Sequence, residues 1–439
     1  MKKFIQTIKN IYKIEELRKR IVYTFLLILV YRLGSFIVLP GIDPSVMAEF
    51  SASMSNRTDA LSLLNMFSGG AFGNVSIFAL GVMPYISASI VVQLLGVFVG
   101  KFRKMQAEER GRRKLNQITR LLTIVILCIQ GPAYISNIMH QYPNAFLVSS
   151  KLYILAATVI LLGGSMFVMW LGERITERGI GNGISLIIMI GIIARLPQAF
   201  MAEVLSKAGS TTGGILLLIV EFVILFFVFV AAIALVQAVR KVPVQYANRV
   251  IGNKQYGGVR QYIPLKVNAS GVMPIIFAQA IMLFPIIFSR FDATRGFAAA
   301  MSNYTGLWYN LVFGFLVIVF TYFYTAVTFQ PNMMAEDMKK NGGFIPGVKP
   351  GKKTMEYLDT IMTRIVLPGS IFLAIIAVLP AIATLCGVNN QFASFYGGTS
   401  LLILVGVVLD TLQQVESHLL MRHYDGLMKT GRLTGRSGM

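Results

Sequence analysis

Apolar runs of about twenty residues recur along this chain, and nothing else constrains its fold as tightly. Ten are distinguishable, at 21–39, 75–96, 118–139, 152–172, 183–201, 214–238, 269–289, 305–328, 363–386 and 394–413. In hydrocarbon, every backbone N–H and C=O must find its partner within the protein, so segments of this length cross as helices. Charge agrees: only 13% of the 439 residues are Asp, Glu, Lys or Arg, whereas a water-soluble domain carries about 25%. The expected class is an all-α polytopic membrane protein with ten transmembrane helices. The first run follows a basic N-terminus, yet it exceeds the roughly 7–15 residues of a signal-peptide core and precedes no small-residue cleavage site. It reads as a retained span.

An even number of spans puts both termini on one side, and the basic residues choose which. Segments 1–20, 101–120, 173–182, 239–268, 329–364 and 414–439 hold 33 of the 40 Lys and Arg residues. The alternate set holds six: Arg57, Lys151, Arg195, Lys207, Arg290 and Arg295. The positive-inside rule makes the rich side cytoplasmic, and both termini with it. A net charge of +21 concentrated on that face also attracts anionic lipid.

Two cytoplasmic connections are longer than topology needs, and loops beyond about 12–15 residues are usually functional or disordered. Residues 239–268 carry six basic residues and no acidic one, with Tyr246, Tyr256 and Tyr262 interleaved and Gly257-Gly258 suggesting a hairpin tip. Residues 329–362 contain GGFIPGVKPGKKT, where Gly and Pro shape an exposed loop. Basic tips of this kind suit phosphate-rich RNA or an acidic protein surface. GVKPGKKT falls one residue short of the phosphate-loop spacing, and RGIGNG at 178–183 lacks the strand that a dinucleotide fingerprint needs. No cofactor is expected, and energy for any work comes from a partner.

The membrane interior is sparsely ionisable. Arg32 and Asp410 lie towards span ends, and Glu221, a third of the way into its span, is the best candidate for a buried partner. His140, His418 and His423 avoid span centres, and Cys128 and Cys386 are far apart. No catalytic or metal constellation emerges, so no enzyme is expected. An ion-coupled transporter of a small solute is the rival reading, and the spans offer it few relay groups. Pro84, Pro132, Pro274 and Pro285 mark broken or mobile helices. Just before the second run, residues 61–74 form a glycine-dense piece too short to cross, which suggests a stopper in a cavity.

NMFSGGA (65–71), SIFALGVMPYISASIVVQLL (76–95), GERITERGIGNGIS (172–185), PLKVNASGVMP (264–274) and FYGGTSLLILVGVVLD (395–410) resemble the SecY family of protein-conducting channels. The resemblance implies two five-helix halves related by an inverted repeat, 21–201 and 214–413. A periplasmic connection at 202–213 joins them, with an amphipathic segment at 1–20 and a cytoplasmic tail at 414–439. It implies an aliphatic pore ring of Val82, Ile86, Ile184, Ile188, Ile276 and Ile403. Two of these sets are i,i+4 pairs that show one helix face to a common space. A plug helix at about 61–74 follows, including Asn65, Phe67, Ser68, Gly69, Gly70 and Ala71; its Ser and Gly content gives low helix propensity, apt for an element that moves. A lateral gate would lie between spans 2–3 and 7–8, with Ser87, Gln93, Gln130 and Gln279 as polar contacts. Arg249, Lys254, Arg260, Lys349 and Lys352 become docking residues for the SecA motor and the ribosome. Lys349 stands where the family usually has Arg, which keeps the charge and gives up bidentate bonding. The implied function is passage of unfolded secretory chains outward and release of apolar segments into lipid. Small SecE- and SecG-type subunits, signal peptides and nascent chains are the implied partners.

Overall fold

The structure, a computed structural model, describes residues 14–56, 65–147, 151–208, 214–246, 249–251, 254–256, 260–282, 296, 301 and 305–430. The first helix, α1 (Glu15–Gly34), shows how its sequence makes it. Glu15 and Glu16 sit in the first turn and pair with Lys19 and Arg20 at i+4, and Arg32 sits in the last turn. That polarity complements the helix dipole. Leu17, Thr24, Leu27, Tyr31 and Gly34 are buried at spacings of three, four and seven, a single inward stripe. Val22, Phe25, Leu26, Leu29 and Leu33 are exposed on the other faces.

After α2 (Pro44–Asn56), the expected second span begins late. Residues 75–82 form turns, and the helix α3 runs Met83–Phe98. Pro84 explains the start, since proline suits the first helical turn, where its missing N–H costs nothing. The short α4 (Gly100–Ala107) then follows a single extended residue, Val99. Next come α5 (Glu109–Gln141), α6 (Lys151–Arg178), α7 (Gly183–Ala208) and α8 (Gly214–Gln237). Later helices are α9 (Met273–Met282), α10 (Leu307–Thr328), α11 (Pro331–Lys340), α12 (Lys352–Leu385), α13 (Asn390–Ala393) and α14 (Gly398–Thr430). Among the described residues, seven helices are long and apolar enough to cross a membrane, with an eighth if the α3–α4 pair, bent by 101°, is one broken span. The expected seventh span opens as α9, and 283–295 lie outside the described residues.

The chain is mostly helical rather than all-α. Strand β1 (Val239–Tyr246) pairs antiparallel with β4 (Arg260–Lys266) from Val239↔Lys266 to Gln245↔Arg260. Between them β2 (Arg249–Ile251) pairs with β3 (Lys254–Tyr256), and β5 (Gly343–Phe344) joins the other edge of β1 to give the order β4-β1-β5. Alternation drives this: Val242 and Val244 are buried while Lys241 and Pro243 are exposed, a period of two that no membrane helix has. The β2–β3 tip falls between Ile251 and Lys254, and the expected tip at Gly257-Gly258 lies outside the described residues.

Two compact units emerge. One comprises Met1–Ser55, Leu63–Arg195 and Val407–Met439; the other comprises Asn56–Ser62 and Leu196–Gly406. In the first, α3 and α6 pack on α5, and α1 packs on α6. In the second, α10 packs on α9 and α12, and a small core beneath the sheet joins Val242, Val244 and Leu265 to Met338, Ile345, Leu358, Met362 and Val366. The two long connections, 239–268 and 329–362, are thus one packed module.

Candidate functional site

The first unit seats the glycine-dense segment in its interior. Residues 61–64 lie outside the described residues; of the rest, 65–67 form a helical turn and 68–74 a run of tight turns, so the expected plug helix is mostly non-helical. Gly69 and Gly70 explain it, with φ of 64° and 93°, in the left-handed region that breaks a helix. The segment closes on itself: Asn65 Oδ1 accepts the Gly73 N–H at 2.8 Å, and Ser68 Oγ accepts the Phe72 N–H at 3.0 Å. Asn65, Ser68, Ala71, Phe72, Val75 and Ser76 are all buried.

Side chains from three helices donate to it. From α1, Tyr31 Oη donates to Ser68 O at 3.2 Å and Arg32 Nη1 to Gly69 O at 3.0 Å. From α5, Tyr134 Oη donates to Phe72 O at 2.6 Å. From α7, Arg195 Nη2 donates to Asn65 Oδ1 at 3.1 Å. Turn carbonyls that no helix satisfies are thereby paired away from water, where an unpaired one is costly. The segment's end is tied to the chain after α1, with Leu39 N–H donating to Val75 O at 3.0 Å and Ile77 N–H to Ile37 O at 2.9 Å. Val75 itself has φ 47°, a conformation that costs a β-branched residue on the order of 1–3 kcal/mol and persists only where the surroundings enforce it.

The expected ring residues divide between the units. Val82 caps α3, and Ile86 follows one turn later, its N–H bonded to Val82 O at 3.0 Å. On α7, Ile184, Ile188, Gly191 and Arg195 recur at spacings of four, three and four, which is one helix face. Gly191 and Arg195 touch the 65–76 segment, so Ile184 and Ile188 continue the same stripe beyond it. Ile276 and Ile403 belong to the second unit, half-buried and buried respectively. Of the expected gate polars, Ser87 Oγ donates to Met83 O and Gln93 Nε2 to Ser89 Oγ within α3, while Gln279 Nε2 on α9 donates to Thr399 Oγ1 on α14. Gln130 is exposed on α5, and Gln93 Oε1 is buried with no hydrogen bond among the described residues.

On the packed module of the second unit, Arg249 begins β2 paired with Tyr256, Lys254 pairs with Ile251, and Arg260 pairs with Gln245. Lys349 is exposed at the tip of a turn bounded by Gly347 (φ 85°) and Gly351 (φ 97°), and Lys352 is exposed at the start of α12. Thr354 Oγ1 donates to Lys349 O at 3.0 Å and holds that turn against the helix.

Residues 76–412 match the SecY family model. The chain belongs to the SecY family. The protein translocase subunit SecY of Chlamydia trachomatis is 39% identical over 454 residues, covering 98% of this chain and 99% of that one. That of Halalkalibacterium halodurans is 41% identical over 434 residues, covering 97% and 100%. Among solved structures, one described as a protein conducting channel superimposes with a TM-score of 0.60 at 16% identity, over 95% of both chains. Canine Sec61 in a ribosome-channel complex from the endoplasmic reticulum gives 0.57 at 15% identity, also over 95% of both. At these identities the likeness is one of fold.

Several contacts of this SecY-family chain escape a sequence reading. Tyr31, Tyr134, Arg195 and Gly191 reach the buried segment across 37 to 130 residues of chain, and nothing in local pattern marks them. Glu221, which the sequence picks out as needing a partner, finds Lys207 Nζ at 3.0 Å. The same ammonium lies 3.7 Å from buried Glu203 and donates to Gly387 O at 3.0 Å, while Glu203 accepts the Asn389 N–H at 2.8 Å. Lys207 was visible only as one of the six basic residues on the poor side.

Proposed function

We propose that the chain is the protein-conducting subunit of a Sec translocase, with ten spans, both termini cytoplasmic and two halves at 21–201 and 214–413. Unfolded secretory polypeptides pass through a waist of Val82, Ile86, Ile184, Ile188, Ile276 and Ile403. β-branched aliphatics hold stiff rotamers and present no polar atom, so such a collar dewets and blocks ions while offering little hold on a passing chain. Apolar segments leave sideways between spans 2–3 and 7–8, where polar pairs worth roughly 0.6 kcal/mol each are weak enough to exchange. A signal sequence opens the channel by binding the open form better than the closed one.

One observation carries this reading: an uncharged segment, 65–76, is buried and hydrogen-bonded by side chains from three helices although it is too irregular to be a span. A removable seal needs such a segment, and a solute carrier does not. Basic residues on the packed module serve motor and ribosome docking; the ribosome-channel complex that contains the similarly folded canine Sec61 supports the latter. SecE- and SecG-type subunits and anionic lipid complete the assembly. The test is reconstitution into vesicles with those subunits and a SecA-type motor. Protease-protected secretory precursor should accumulate with ATP, and a vesicle that accumulates none while the subunits co-purify would refute the assignment.

A further inference from the structure

We propose that Arg195 and Asn65 form the latch that sets how readily the 65–76 segment leaves its seat. The proposal rests on the plug reading above and adds the residue pair that governs it. Tyr31, Arg32 and Tyr134 all donate to backbone carbonyls of the segment, which every sequence possesses. Arg195 donates to a side chain, Asn65 Oδ1, at 3.1 Å. The same oxygen accepts the Gly73 N–H at 2.8 Å, so Asn65 ties the start of the segment to its far end and both to α7. Asn65 is 2% exposed and Arg195 half-buried, so the shared oxygen lies away from water while the guanidinium is partly accessible.

The surrounding glycines show that the guanidinium is seated rather than merely near. A Cβ on Gly70 would stand 2.5 Å from Arg195 Nη2 and 3.0 Å from Cζ, and φ at Gly70 is 93°. One turn earlier on the same face of α7, a Cβ on Gly191 would stand 2.7 Å from Phe67 O. Two positions without side chains therefore bring α7 and its arginine against the segment. A hydrogen bond from an ionised donor is roughly twice as strong as a neutral one, and this one breaks as soon as the segment shifts. Because both partners are side chains, the latch is adjustable in both directions: Asn65→Asp converts it to an ion pair, and Arg195→Met removes it.

The experiment is ion conductance of the purified complex in planar bilayers, at rest and with added signal peptide. R195M should raise the resting open fraction about tenfold, the scale of one charged hydrogen bond. R195Q, which keeps a neutral donor, should raise it less and serves as a second variant should R195M fail to assemble. N65D should lower resting conductance and demand more signal peptide for opening. Shifts of the same sign for R195M and N65D, or no shift in either, overturn the latch. A channel lacking 65–73 separates the two layers. If that deletion leaves the resting conductance unchanged, the plug reading fails with the latch; if it raises conductance while R195M and N65D do not move it, the latch alone fails.

Discussion

Three glycines, at 69, 70 and 191, decide whether a segment of polar turns can be buried in a membrane protein. At Gly69 an added Cβ would stand 2.8 Å from both Arg32 Nη1 and the Gly191 Cα, so helix and segment touch backbone to backbone. Gly191→Ala should therefore force the seat apart at a cost of about 1–3 kcal/mol, as overpacking does, and appear as raised resting conductance. The collar makes a second prediction at this scale. Ile86→Asn and Ile188→Asn would place hydrogen-bonding groups in the proposed dewetted waist and should each raise resting ion conductance; unchanged conductance would remove those residues from the waist. The glycine density of 65–73 and the i,i+4 pairs were legible in the sequence because they are local. The donors were not: Arg195 reads as one more basic residue on the poor side, and its tie to Asn65 spans 130 residues of chain.

Elements were legible where one periodicity runs uninterrupted and obscured where a second interrupts it. Proline in the first turn of α3 moved the expected second span from residue 75 to Met83, and a period-two stretch made the basic connection, where only a hairpin tip was suggested, a seven-pair β1–β4 ladder. The shared core beneath that hairpin was illegible, since it brings β1 and β4 against α11 and α12 from the other long connection. Leu358 is fully buried in it, so Leu358→Ala should cost about 2–5 kcal/mol. Limited proteolysis should then cut both connections with parallel kinetics; cleavage confined to 329–362 would mean that the two fold separately. In the same unit, Lys207 holds α7, α8 and the turn at Gly387 together. Lys207→Met leaves Glu203 and Glu221 buried without their cation, and breaking such a pair costs on the order of 3–5 kcal/mol. A lowered thermal unfolding temperature in detergent is expected, with Lys207→Arg close to the parent.

At the scale of the whole molecule, charge asymmetry and ten apolar runs carry the proposed topology, and the buried segment with its aliphatic neighbours carries the proposed channel. Reversing charge at Arg249 and Lys349 together should impair precursor export severalfold while the complex still assembles; normal export would reduce the basic module to a topology signal. The central proposal is that a secretory polypeptide passes Ile86, Ile188, Ile276 and Ile403 on its way across the membrane. Photocrosslinkers at Ile86, Ile188, Ile276 and Ile403, probed with a secretory chain arrested in mid-passage, test it most directly, with the exposed Leu216 as control. The account predicts adducts from all four positions, two in each unit, and none from Leu216. Adducts absent from the four, or no more frequent than at Leu216, would contradict it.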